Sequence, residues 1–180
     1  MKYAFSLAFV CLLFIANAQD FENYKPLQST GIVPADFTTL SFDKVQADVD
    51  AIDQSQSRSD RKTKERFYLQ SNYFIDDLLL SGRVLFNDPI SQYVEKVGNK
   101  VLEHEPELQG KIRFYTIKST VVNALATNQG IIFINLGLIA QLENEAQLAF
   151  VLSHELIHYK NNHVLNAYVE NTKISQGEEA

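Results

Sequence analysis

Residues 144–170 contain neither glycine nor proline, and their first half is crowded with Leu148, Ala149, Phe150, Val151, Leu152, Leu156 and Ile157. Neither of the two residues most hostile to a helix interior interrupts the stretch, so one long helix is expected through at least Glu170. Apolar side chains on most of its faces predict burial at the centre of the protein. Its start is marked by Asn144, whose side chain can accept from free amides of the first turn, while Gln147 can reach back in the manner of a capping box.

The preceding chain supplies material for that helix to pack on. Asp88-Pro89 is a helix-start signal: the carboxylate caps orphan amides, and proline is tolerated at the first helical position. Ile90, Tyr93, Val94, Val97 and Val101 then recur at helical spacing, predicting one buried stripe on a helix that runs to about Glu105 and stops at Pro106. Residues 112–117, IRFYTI, and 131–135, IIFIN, are short and rich in β-branched and aromatic side chains, and a polar Asn128-Gln129-Gly130 turn precedes the second. Both read as strands. Residues 55–66 are polar and basic and merge into Phe67, Leu69, Tyr73, Phe74 and Leu78, the pattern of an amphipathic helix with a solvated start. Residues 19–40 mix Pro26, Gly31 and Pro34 with scattered aromatics and show no sustained period, which predicts an extended lead-in.

Residues 1–18 carry Lys2 and an apolar run from Tyr3 to Ala16 that is short for a bilayer span, with Ala16 and Ala18 as small residues before a cleavage point. They read as a signal peptide cut after Ala18, the competing reading being an uncleaved anchor. Export to a periplasmic or extracellular location is therefore expected. The expected division is 1–18 signal peptide, 19–65 lead-in and polar segment, and 66–180 catalytic domain. The single cysteine of the chain, Cys11, falls in the signal segment, so the mature chain has no thiol for a disulfide, a metal or nucleophilic catalysis. Sixteen Lys and Arg against 22 Asp and Glu give a net charge of −6, which argues against a nucleic-acid partner. No transmembrane helix is expected in the mature segment, while peripheral membrane association and oligomeric state stay open.

Within the long apolar stretch stands His154-Glu155-Leu156-Ile157-His158. Two histidines four apart on a helix project from one face a turn apart, so both rings can reach a single tetrahedral Zn²⁺. Glu155 is rotated by about 100° from His154, beside the expected ion, where it can take a proton from water. The pattern points to metal-assisted hydrolysis of a peptide bond. His163 lies five residues beyond His158, about 140° around the helix, and so is expected to point away unless the helix ends between them. A metzincin would need glycine and histidine where this chain has Asn161 and Val164, so that class is excluded. His104, at the end of another helix, reads as a surface histidine. The remaining source of a third ligand is a later glutamate; Glu170, Glu178 and Glu179 are available, none of them marked as a ligand by its neighbours.

Two blocks, Val122 to Ile139 (VNALATNQGIIFINLGLI) and Asn144 to His163 (NEAQLAFVLSHELIHYKNNH), resemble the zinc metallopeptidases that include HtpX, BepA and the CAAX prenyl protease. With the Asp88-Pro89 helix the resemblance extends over roughly residues 86–165. It implies an α+β, zincin-like fold in which a central HExxH helix packs on a small β-sheet. It also implies one Zn²⁺ per chain held by His154 and His158, with Glu155 as catalytic base. The family's third ligand is a glutamate in a downstream Glu-x-x-x-Asp motif that does not follow His158 here, so the chain is expected to be the N-terminal portion of the domain, with Glu178 as a weak substitute. The family commonly has arginine where this chain has Asn162. An unfolded or extended polypeptide is the expected substrate, with residues 131–135 as the strand that pairs with it. The rival readings are a zinc-containing binding or assembly module with little or no proteolysis, and an exported adaptor with a chance motif.

Overall fold

The computed structural model describes residues 33–177. The signal segment with Cys11, the lead-in up to residue 32, and Glu178 and Glu179 lie outside the described residues. Those described form an α+β arrangement of six helices and four strands. Helices α1 (Ala35–Asp50) and α2 (Arg58–Leu80) precede strand β1 (Val84–Leu85) and helix α3 (Pro89–Leu102). Strands β2 (Arg113–Ile117), β3 (Ala124–Ala126) and β4 (Ile131–Asn135) follow, then the short α4 (Leu136–Ile139), α5 (Glu145–Lys160) and α6 (His163–Ser175).

The strands form one mixed sheet in the order β1-β2-β4-β3. β4 lies inside it, parallel to β2 in the register Phe114↔Ile132 and antiparallel to β3 in the register Leu125↔Phe133. Alternation along β4 sends Ile132 and Ile134 to one face, with Phe114, Val94, Val97, Leu148, Leu152 and Leu156 from β2, α3 and α5. Ile131 and Phe133 go to the other, with Ile75, Leu78 and Leu79 of α2. Covered on both faces, all five residues of β4 are buried, which accounts for its continuous apolar sequence.

Close approach of α3 to the sheet depends on Gly98: a Cβ there would stand 2.5 Å from the Phe114 ring. The β3–β4 turn depends on Gly130, whose φ of +78° suits glycine and whose missing Cβ would stand 2.5 Å from the Lys111 carbonyl oxygen. The start of α3 is as expected, with Asp88 Oδ1 accepting from the amides of Ile90 (2.9 Å) and Ser91 (3.1 Å).

Several expectations need correction. Residues 35–50 are helical and do not continue the extended lead-in; α1 packs beside α2 and buries Val45, a tertiary contact that its weak periodicity does not announce. In α2 the buried positions are Phe67, Ile75, Leu78 and Leu79, whereas Tyr73 is 74% exposed. α3 ends at Leu102, three residues short of Glu105, and Tyr93 leaves the buried stripe to donate its hydroxyl hydrogen to Glu145 Oε2 at 3.0 Å. β1 and β3, two and three residues long, are too short to display a period. The stretch 144–170 is two helices, and the longest described helix is α2. α5 is buried along only one face, by Leu148, Leu152 and Leu156, while Phe150 and Ile157 are exposed.

Candidate metal centre

Asn144 opens α5 by accepting from the Gln147 amide at 3.0 Å, and the Gln147 side chain accepts from the Glu143 amide at 2.7 Å, one residue before the cap. Helical periodicity from Leu148, Leu152 and Leu156 then fixes which way the motif faces. His154 and His158 stand roughly opposite that buried face, with Glu155 between. His154 is exposed, and Glu155 and His158 are half-buried. The motif therefore stands on the rim of the core rather than within it. Apolar neighbours in sequence had suggested the reverse, but Phe150 and Ile157 are themselves outside.

The two rings converge. His154 Nε2 and His158 Nε2 are 3.0 Å apart, with ring centroids 4.6 Å apart and ring planes at 81°. Two nitrogens bound at about 2.0–2.1 Å to one tetrahedral ion stand about 3.3 Å from each other, so the pair fits a shared ion with a small ring rotation. Among the described residues no group of three His, Cys, Asp or Glu side chains is placed to hold a metal. Glu170 is exposed on α6 and does not complete such a group. His104 is exposed beyond the end of α3, and lines a groove between α3 and α5 with Val97, Val101, Ala149 and Ile157. That groove, of about 750 Å³, is lined by none of the three motif side chains.

His163 is the residue whose placement differs most from expectation. α5 ends at Lys160, and Asn162 takes the left-handed conformation, φ 51°, which asparagine tolerates better than most residues. The chain reverses and α6 starts at His163, whose Nδ1 lies 2.8 Å from His158 Nδ1. The Asn161-Asn162 pair was the available signal for this break: both are poor helix residues and turn formers.

Ion pairs and hydrogen bonds brace α5 from the side away from the histidines. Lys160 Nζ is 2.5 Å from Glu105 Oε2 and 3.2 Å from Glu107 Oε1, and these carboxylates, Glu105 first, raise the ammonium above its usual range. The Glu145 carboxylate beside it pushes the Tyr93 phenol up in the same way, at the other end of the helix.

Residues 90–176 match the model of Peptidase family M48. The beta-barrel assembly-enhancing protease of Escherichia coli (strain K12) is 31% identical over 97 residues, covering 53% of this chain and 20% of that protein. The beta-barrel assembly-enhancing protease of Yersinia pestis is 23% identical over 104 residues, covering 58% of this chain and 21% of that protein. The chain thus spans about a fifth of the length of these curated relatives. The matched segment is the one that folds as α3, the sheet from β2 onward, and the two helices carrying the histidines. From α3 to the end of α6, the chain is similar to peptidase family M48 and to the beta-barrel assembly-enhancing proteases.

Proposed function

We propose that the protein is an exported zinc-dependent endopeptidase that hydrolyses peptide bonds in exported or envelope proteins. The supporting observation is the convergence of two imidazole nitrogens, 3.0 Å apart on an exposed helix face, inside a segment similar to a peptidase family. His154 and His158 would hold one Zn²⁺ through Nε2, with a third ligand from outside the described residues. Zinc in such a site acidifies water and polarises a carbonyl. Glu155, one position from His154 on the same turn, accepts the proton of the attacking water and returns it to the leaving amine.

The strand assigned to substrate is β3 instead of β4. β4 has β2 on one side and β3 on the other, so its main-chain groups are already paired. β3 is the last strand of the sheet among the described residues. Asn123 O accepts from the Asn135 amide, and the Thr127 amide donates to Ile131 O. Antiparallel alternation then directs the amides and carbonyls of Ala124 and Ala126 to the open side. An extended polypeptide can add there as a further strand, held through its main chain and with little regard to sequence. Val121 and Val122, exposed just before β3, offer apolar contact to its side chains.

Metal analysis of the purified full-length protein, together with cleavage of unfolded casein, tests the reading. One zinc per chain is expected, with cleavage lost in Glu155→Gln and metal retained. A full-length protein that binds zinc but leaves casein intact would favour the binding or assembly module, and undiminished cleavage by Glu155→Gln would remove Glu155 from its role.

A further inference from the structure

We propose that His163 is a positioning residue for His158: its Nδ1 accepts the proton of His158 Nδ1–H and so holds the other ring nitrogen of His158, Nε2, as a free lone pair facing His154. The proposal rests on the reading of His154 and His158 as zinc ligands. His158 is contacted at both nitrogens, Nε2 by His154 Nε2 at 3.0 Å and Nδ1 by His163 Nδ1 at 2.8 Å. A neutral imidazole has one N–H and one lone pair, so the partner at one nitrogen decides what the other can do. With His163 as acceptor, Nε2 of His158 is free to bind metal. With His163 as donor, the proton would sit on Nε2 and block it.

The backbone is arranged for this contact. On an uninterrupted helix His163 would lie about 140° round from His158. The left-handed Asn162 brings it back, and the turn is held by Asn166, whose side-chain amide donates to the Asn161 carbonyl at 3.1 Å and whose main-chain amide donates to the Asn162 carbonyl at 3.0 Å. The rings of His158 and His163 meet edge to face, with planes at 79° and centroids 4.9 Å apart. His163 does not share the ion itself, because the two nitrogens of His158 diverge and the Nε2 edge is the one turned to His154. Its role is that of the outer partner that fixes a ligand's tautomer and orientation.

The test uses the full-length protein and zinc affinity measured by competition with a chromophoric chelator, beside ¹⁵N spectra of the histidine rings. His163→Phe removes the acceptor and keeps a ring; His163→Asn places an acceptor oxygen near the position of Nδ1. We expect His163→Phe to weaken zinc binding by about 10–100-fold and His163→Asn to restore most of it. In the zinc-free protein the spectra should show His158 protonated at Nδ1 in the wild type and the Asn variant, and a mixture of tautomers in the Phe variant. Should phenylalanine disturb the turn, His163→Ala removes the same acceptor. Wild-type affinity and tautomer in His163→Phe or His163→Ala would overturn the proposal while leaving the zinc site standing, and so would an Asn variant as weak as Phe. A wild-type protein that takes up no zinc would overturn both.

Discussion

Strand β4 and the turn between α5 and α6 are built on opposite principles. All five residues of β4 are buried, paired on both sides and covered on both faces. At the turn, Asn161, Asn162 and His163 are exposed, and α6 contains no buried residue. The sheet has its stability from burial and tolerates little change. The histidines contribute little to that stability, so their identities are free to be set by chemistry. Leu152 and Leu156 connect the two regions: they anchor in the core one face of the helix whose other face carries His154 and His158.

The sharpest way to break this contrast is to change one residue in each region and measure both stability and metal. His154→Ala should weaken zinc binding by more than the roughly 10–100-fold that follows loss of an outer partner, yet shift denaturant stability of the zinc-free protein by less than about 0.5 kcal/mol. Phe133→Ala should behave in the opposite sense. It leaves a cavity against Ile75 and Leu79, costs about 3–5 kcal/mol in urea denaturation, and affects metal only through unfolding. Gly98→Ala comes next: a methyl driven against the buried Phe114 ring should cost about 1–3 kcal/mol by overpacking. Combining it with Phe114→Leu should recover part of the loss in the same assay if that contact is the cause.

The smallest effect concerns pH. Glu107 has its carboxyl held below the usual range by its own backbone amide first, then by Glu105 and Lys160. A depressed folded value means that its contribution is present above the unfolded value and lost as pH falls through the folded one. Lys160, raised in the fold by Glu105 and Glu107, contributes below its unfolded value and loses that contribution as pH rises through the folded one. Between those limits the brace is intact. Thermal melts should therefore show a slight acid-side loss that shrinks in Lys160→Met and in high salt.

What could be read in the sequence follows the same division. The Asp88-Pro89 cap, the two longer strands and the start of α5 each have a local cause, a side-chain cap or a run of β-branched residues, and they stand where expected. β1 and β3 exist only because β2 and β4 offer edges to pair with, which no local pattern announces. α1 is held by packing on α2 and shows no clear period of its own. At the site, the four-residue spacing was enough to put His154 and His158 on one face, but not to say which face is wet. That depends on where the sheet lies. The placement of His163 depended on two asparagines ending a helix that a count of glycines and prolines would let continue.

Among the described residues β3 ends the sheet, and that edge has a consequence of its own. Edge strands are ordinarily guarded by charge, proline or a covering element, whereas Val121 to Ala126 carries none of the charged or proline guards. Two molecules pairing along that edge would share few main-chain hydrogen bonds, because the strand is only three residues long.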